Sequence, residues 1–279
     1  MVKDELGETI DIHLGGSDLI FPHHENEIAQ SESANNKKLA NYWLHNGMVN
    51  VNGQKMSKSL KNFTTIRDLL DSGTSPMTLR YFVLTVNYRK PLDFTDEALK
   101  SASEAWKNIN VALSFFDITK KENLSIEVNE TNEFVEETYK DMINYEISQK
   151  KIKFTNALNN DLNTAGAIAI IYELAKPLKN FINQFQRIKN LEINTNEKFH
   201  LRETFKTLEE LTNVLGLKKE EIIIDNRINE DQILSLINKR LVAKKEKDYA
   251  EADKIRNSLK EKGVELIDQS PELTTWVRI

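Results

Sequence analysis

The sequence predicts a mainly α-helical protein with a small α/β part near each end. Apolar residues recur at helical spacing in several segments between Thr64 and Leu215, which predicts a succession of helices. Near the start, the segment Thr9–Leu14 alternates between β-branched and polar residues, which predicts a short strand. Two further strand patterns lie in the last sixteen residues, 264–268 and 274–279. A mean hydropathy of −0.51 and 29% charged residues fit a soluble, helix-rich chain.

Composition narrows the classes of protein that the chain can belong to. Its 279 residues suggest about two domains of ordinary size, and no apolar run approaches the ~20 residues of a membrane span. The start of the chain carries the charged residues Lys3, Asp4 and Glu5 and shows no apolar core segment of a signal peptide. There is no cysteine, which excludes disulfides and thiol chemistry and agrees with a cytoplasmic location. Because the net charge is −5, a nucleic-acid partner has to meet a local basic surface.

The predicted first strand is followed by Gly15 and Gly16, which we expect to end it, and then by a histidine-rich stretch. A helix that begins at Pro22 places His23 and Glu27 on one face, four residues apart. An imidazole and a carboxylate on one face can supply two ligands to zinc. An ordinary surface pair is the alternative, and spacing alone favours it. The His-Glu-x-x-His order of a zinc protease is absent.

A lysine-containing segment follows at Asn50–Phe63. The Asn52-Gly53 pair predicts a tight turn with positive φ, and it precedes the sequence Lys-Met-Ser-Lys-Ser at residues 55–59. The ammonium groups of Lys55 and Lys58 are compact charges suited to phosphate. The alternative is a solvated basic loop. Written in full, however, this pentapeptide resembles the second signature of class I aminoacyl-tRNA synthetases.

The middle of the chain predicts a helical bundle. Pro76 predicts a helix start, and Thr95 predicts an N-cap before the acidic residues Asp96 and Glu97. The residues Tyr42, Trp43 and Leu44, which precede the lysine segment, are expected in the core. Residues 121–150 carry a net charge of −5, so we do not expect that surface to lie against phosphates.

The tail of the chain contains a locally basic stretch. Between Lys239 and Lys262 there are nine bases and five acids, in a chain that is acidic as a whole. Tyr249 and Trp276 supply rings that can stack on unpaired RNA bases, and Asp268 can accept a hydrogen bond from a base edge. A salt-bridged helix face with a tryptophan in the core is the alternative, and composition does not decide between them.

Five stretches occur in an order that resembles the cysteinyl-tRNA synthetase family. They are GSDLIFPHHENEIAQS, YWLHNGMVNVNGQKMSKSLKNF, RYFVLTVNYRKPLDF, ALNNDLNTAGA and KDYAEADKIRNSL followed by TTWVRI. The resemblance spans essentially every residue and corresponds to the carboxyl-terminal part of that family's sequence. It implies four parts: the end of a Rossmann-like catalytic domain (1–62), a helical stem-contact region (63–118), a DALR-type helical bundle (119–225) and a small anticodon-binding tail (226–279).

The resemblance also implies an activity. Enzymes of this family join cysteine to ATP, which carries Mg²⁺, and pass the cysteinyl group from the adenylate to tRNA-Cys. It implies that Lys55 and Lys58 stabilise the charge that develops as pyrophosphate leaves, with Lys58 on ATP. It implies that His23 and Glu27 are two of four ligands of a zinc ion that binds the substrate thiolate. This implication reverses the preference for an ordinary surface pair, which the spacing alone favours.

Several departures from the family's pattern bear on activity. The His-Ile-Gly-His signature of the amino-terminal half and the two zinc-ligand cysteines are absent, and Lys61 stands where the family has glycine. We therefore expect that this polypeptide alone does not form the adenylate, and that a missing amino-terminal half is a possible partner. The alternatives are a non-catalytic tRNA-binding protein and a ligase that joins cysteine to an amino sugar. The basic tail argues against the second of these.

Overall fold

The structure is a computed structural model that describes residues 2–57, 59–121, 135–188, 191–221, 230–268 and 274–278. Its contacts divide the chain into two compact units. One unit contains Met1–Lys179 and Asn194–Lys219, and the other contains Asn180–Ile193 and Glu220–Ile279. The division into four parts at residues 62, 118 and 225 stays a prediction.

The first unit opens with two parallel strands joined through a helix. Its first elements are α1 (Val2–Leu6), β1 (Ile10–Gly16), α2 (Glu25–Asn35) and β2 (Ala40–Asn46). The strands pair from Ile10 opposite Ala40 to Gly16 opposite Asn46. The predicted strand is confirmed, but the expectation that Gly15 and Gly16 end it is wrong, because both glycines pair with β2.

One face of this sheet is apolar and exposed. Ile12, Leu14 and Tyr42 share it, with 54%, 67% and 68% of their surface exposed. The expectation that Tyr42 lies in the core is therefore wrong. The physical reason is that nothing in the described part of the chain covers this face, whereas parallel sheets ordinarily have both faces covered.

A three-stranded sheet presents the lysine segment. It contains β3 (Val49–Val51), β4 (Gln54–Lys55) and β5 (Leu92–Phe94), in the order β4-β3-β5. Asn52 and Gly53 form the turn between β3 and β4, with φ of 50° and 74°. This confirms the tight turn that the Asn-Gly pair predicts, since both turn residues need positive φ.

Helices form the rest of the first unit. They are α3 (Ile66–Asp71), α4 (Pro76–Leu84), α5 (Asp96–Leu113), α6 (Phe115–Lys121), α7 (Glu137–Asn159), α8 (Thr164–Arg187), which continues into the second unit, and α9 (Thr195–Val214). The predicted starts are confirmed at Pro76, which follows the N-cap Ser75, and after Thr95, whose side chain accepts from the Ala98 N–H. Trp106, Ile109, Ile171 and Leu208 are fully buried. No helix among the described residues is long and apolar enough to cross a membrane.

The second unit contains two helices followed by an antiparallel pair of strands. They are α10 (Glu230–Lys245), α11 (Tyr249–Glu261), β6 (Val264–Asp268) and β7 (Thr274–Arg278). The strands β6 and β7 confirm the two strand patterns that the sequence predicts for the tail. Its core contains Ile233, Ile237, Ile255, Leu259, Val264 and Leu266, with Trp276 packed against it. The tail sequence also predicts a helix N-cap at Asn229 and a turn at Pro271, and both positions lie outside the described residues.

Candidate functional site

The lysine loop, residues 55–62, follows the β3–β4 turn. Lys55 is exposed at the end of β4, while Lys58 lies outside the described residues. Asn62 closes the loop, because its amide donates to the Lys55 carbonyl at 3.1 Å and its carbonyl oxygen accepts from the Ser57 N–H at 2.8 Å. Sequence reasoning missed Asn62. The available signal was an asparagine seven residues after Lys55, close enough along the chain to bond to the backbone of the loop.

Lys61 adopts a backbone conformation that favours glycine. Its φ is 54°, in the left-handed region, where a side chain costs roughly 1 kcal/mol. The resemblance to the synthetase family places glycine at this position. The structure therefore supplies a backbone reason for that glycine, and lysine holds the same turn here at some cost.

A histidine cluster lies on the face of the parallel sheet opposite Tyr42. It consists of His13 on β1, His24 before α2, Glu27 on α2, and Trp43 and His45 on β2. His13 Nε2 lies 2.7 Å from Glu27 Oε2, and His24 Nδ1 lies 2.8 Å from His45 Nε2. The His13 ring stacks on Trp43 with centroids 4.3 Å apart. Sequence reasoning missed His13 and His24 as a group, since the chain between β1 and α2 has to fold back over the sheet to bring them together.

The local backbone turns His24 inward and leaves His23 exposed. Phe21 is extended (φ −129°, ψ 133°), and the backbone is helical from Pro22 through His24 and continues into α2 at Glu25. His24 is 5% exposed and its ring lies against Gly15, where an added Cβ would approach Cε1 to 2.4 Å. The helical backbone starts at Pro22, as the sequence predicts.

Burial lowers the pKa of His45, and the neighbouring His24 and His13 lower it further. His45 is therefore neutral near pH 7, and one of the two rings in the His24–His45 contact donates while the other accepts. His13 Nδ1 is buried and has no hydrogen-bond partner among the described residues.

The histidine cluster fits a zinc ion in donor type. One ligand atom each from His13, His24 and Glu27 lie within 4.8 Å of one another, and two imidazoles with one carboxylate form a set that zinc accepts. The contact from His24 Nδ1 to His45 leaves Nε2 for a metal and fixes the ring, as outer partners of zinc ligands do. His23 is not part of this group, and zinc ligation by His23 with Glu27 stays a prediction.

A second polar group, the Asp268 network, lies in the tail and joins α10 to β6 and β7. Arg240 Nη1 and Nη2 donate to Asp268 Oδ1 and Oδ2 at 2.7 and 2.9 Å. Lys244 Nζ donates to Oδ2 at 2.9 Å, and the Thr274 hydroxyl donates to Oδ1 at 2.7 Å. Arg240 is buried at a core-facing position of α10, three residues after Ile237. That charged residue on an apolar helix face was the sequence signal that could have identified it.

The two predicted stacking rings differ in exposure. Tyr249 is the first residue of α11 and has 64% of its surface exposed. Trp276 is half-buried and packs against the tail core. The geometry makes Tyr249 the ring that is accessible to a base, and stacking stays a prediction for both.

Two family models match the chain. Residues 1–104 match the tRNA synthetases class I (C) catalytic domain, and residues 153–219 match the DALR domain. A solved LeuRS–tRNA–LeuAMS complex of Agrobacterium radiobacter K84 aligns with 93% of this chain and 36% of its own, with a TM-score of 0.53 and 15% identity. Methionyl-tRNA synthetase of Mycobacterium tuberculosis, bound by methionyl-adenylate, aligns with 74% of this chain and 40% of its own, with a TM-score of 0.50 and 19% identity. At these identities the structures show the fold alone.

The fold and the matched domains place the chain among the class I aminoacyl-tRNA synthetases, which confirms the predicted fold class. Over 279 residues it is 99% identical to a cysteine–tRNA ligase of Prochlorococcus marinus subsp. pastoris (strain CCMP1986) and 93% identical to that of strain MIT 9515. A ligase from strain MIT 9303 is 49% identical. The chain is similar to these cysteine–tRNA ligases along its whole length, and it spans 57% of the length of the first two relatives.

Proposed function

We propose that this chain acts in cysteine–tRNA ligation, which activates cysteine with ATP and transfers it to tRNA-Cys in the cytoplasm. The observation that carries this proposal is the lysine loop, which the β3–β4 turn and Asn62 hold with Lys55 exposed. Lys55 and Lys58 meet the phosphates of Mg²⁺-bound ATP, and Lys58 binds the nucleotide. Fixed positive charge there stabilises the pyrophosphate that leaves, most strongly where water is excluded.

The histidine cluster supports recognition of cysteine. Zinc held by residues of this part of the chain, His23 and Glu27 or the group of His13, His24 and Glu27, would bind the substrate sulfur as a thiolate and favour cysteine over serine. His45 fixes the ring of His24, and the stacking of His13 on Trp43 fixes a second ring. These contacts orient the donor atoms before any ligand arrives.

The tail supports binding of tRNA. Its stretch 239–262 holds nine bases and five acids, Tyr249 is exposed, and Asp268 and Trp276 lie in the same small unit. A non-catalytic tRNA-binding role is the second candidate, because this unit has its own core and the sequence lacks the His-Ile-Gly-His signature and the zinc cysteines. Measuring tRNA-Cys affinity and aminoacylation side by side separates the two: binding without charging supports the second.

The lysine loop is tested in a version of the chain extended to the full length of its relatives. We expect Lys55→Met to lower pyrophosphate exchange about 100- to 1000-fold, the usual effect of losing one group that stabilises transition-state charge. Lys38→Met is the matched control, because Lys38 is also an exposed lysine of the first unit. An exchange rate that Lys55→Met leaves unchanged would overturn the proposed role of the loop.

A further inference from the structure

The carboxylate of Asp268 has no free acceptor position in this structure. A carboxylate offers about four lone-pair positions, two on each oxygen. Oδ1 accepts from Arg240 and Thr274, and Oδ2 accepts from Arg240 and Lys244. A base edge that donates to Asp268 therefore has to replace one of these partners.

The partners differ in how readily they can leave. The Arg240 side chain is 3% exposed, and removing its carboxylate would leave a buried cation unpaired, which is strongly unfavourable. Thr274 is also buried. Lys244 makes a single contact and is 27% exposed, so its flexible stem can carry the ammonium into solvent at little cost.

The two cations also differ in what they fix. Arg240 contacts both oxygens with its planar fork, so it sets the plane of the carboxylate as well as its position. Lys244, four residues later on the same helix face, is a point charge that touches one oxygen only. The Arg240 guanidinium also holds the pKa of Asp268 well below its usual range, so the group is an ionised acceptor at neutral pH.

We propose that Arg240 is a positioning residue that orients Asp268 toward an unpaired RNA base, and that Lys244 is the partner which the base displaces. The inference rests on the proposed binding of tRNA by the tail. The ligand group is an amine on the edge of a base, such as N4 of cytosine, which pairs well with a carboxylate. Lys244 occupies its place in the free protein and moves to a phosphate or to solvent when the base binds.

The test measures binding of the full chain to tRNA-Cys and to transcripts in which each anticodon base in turn lacks its exocyclic amine, at one fixed salt concentration. In the unaltered chain we expect one of these changes to weaken binding roughly 5- to 150-fold. Asp268→Asn should abolish that difference. If the unaltered chain shows no difference at any position, the proposed base recognition by the tail fails.

The variants of Arg240 and Lys244 test the inference itself. Arg240→Lys keeps the charge but loses the fork, and we expect it to reduce the difference to about twofold or less while the salt dependence persists. Lys244→Met should keep the full difference in affinity between tRNA-Cys and the altered transcript. Lys239 is an exposed lysine on the same helix, and Lys239→Met should weaken the binding of all transcripts by a similar factor. The inference is overturned if Arg240→Lys keeps the full difference in affinity, or if Lys244→Met loses it. Either result leaves the proposed recognition of a base by the tail intact.

Thermal unfolding shows whether Arg240→Lys is folded. If it is not, Asp268→Glu provides the second test, because it moves the carboxylate by one methylene and keeps its charge. A lost difference with Asp268→Glu supports a fixed orientation, and an unchanged difference contradicts it.

Discussion

At the scale of single residues, two adjacent histidines have opposite environments. His24 is buried beside His13 and Glu27, and His23 is exposed. We expect Glu27→Gln and His24→Ala to weaken zinc binding at least about tenfold, because each removes a donor atom of the cluster. His23→Ala should leave the affinity unchanged. Competition between the metal-free chain and a chromogenic chelator measures all three.

Because His23 and His24 are neighbours, each variant is the control for the other. A loss with His23→Ala and none with His24→Ala would contradict the cluster and support the pair that the sequence predicts. Both candidate ligand sets include Glu27. If Glu27→Gln leaves the zinc affinity unchanged, that result would argue against a zinc site in this part of the chain.

A second residue-scale feature is the turn between α7 and α8. Arg89 Nε and Nη2 donate to Asp161 at 2.6 and 2.8 Å, and the Tyr88 hydroxyl donates to it at 2.8 Å. These hydrogen bonds, from Arg89 first, lower the pKa of Asp161 to about 2, below its ordinary value of 3.8. A carboxyl whose pKa is lower in the folded state stabilises the fold above the ordinary value, and this contribution is lost as pH falls through the folded value.

We therefore expect Asp161→Asn to lower the melting temperature near pH 6 and to have a progressively smaller effect between pH 4 and pH 2. Asparagine suits the backbone, because φ at this position is 52° and asparagine tolerates the left-handed region. Raising the salt concentration should also shrink the difference, because both side chains are about half exposed. A difference that stays constant with pH would show that the carboxylate charge is not its source.

At the scale of elements, α9 is followed by a glycine, Gly216, that lies against the end of the Arg80 side chain. Gly216 has a φ of 65°, and an added Cβ would lie 2.6 Å from Arg80 Nη2, while Arg80 Nε donates to the Leu215 carbonyl. We expect Gly216→Asn to destabilise the chain by about 1–2 kcal/mol, because the guanidinium has to move and its hydrogen bond weakens. Denaturant unfolding measures the change.

Gly53→Asn is the matched control for Gly216→Asn. Gly53 also has a positive φ, of 74°, but nothing lies within 4 Å of an added Cβ. Since asparagine tolerates this backbone region, we expect a change within about 0.5 kcal/mol. Equal effects of the two variants would mean that backbone conformation, and not the contact with Arg80, accounts for the loss at Gly216.

Elements were predictable from the sequence where local chemistry determines them. Pro76 and Thr95 gave correct helix starts, and the Asn52-Gly53 turn was correct, because caps and tight turns depend on adjacent residues. The burial expected for Tyr42 was wrong because burial depends on what covers a strand, which local chemistry does not determine. The histidine cluster and the choice of Asp268 as the partner of Arg240 could not be predicted, since contacts between distant segments create both, although the place of Arg240 on an apolar helix face was a signal that it is buried.

At the scale of the whole molecule, the uncovered sheet face is the feature that bears on activity. Ile12, Leu14 and Tyr42 expose apolar surface on a parallel sheet, and the relatives have additional sequence beyond the part that this chain spans. Because parallel sheets are ordinarily buried on both faces, we expect the additional sequence to cover this one.

We also expect the chain alone to show no pyrophosphate exchange with cysteine and ATP, and the version extended to the relatives' length to show it. Exchange by the chain alone at a comparable rate would contradict this expectation.

Tyr42→Glu tests that coverage directly. In the chain alone we expect no change in stability, because Tyr42 is 68% exposed. In the extended version we expect a loss of about 2 kcal/mol or more, together with reduced exchange, because a carboxylate then replaces a buried ring. Tyr145→Glu is the matched control, since Tyr145 is 67% exposed on α7, and it should be neutral in both versions. If Tyr42→Glu is equally harmless in the extended version, this face stays open to solvent and the additional sequence packs elsewhere.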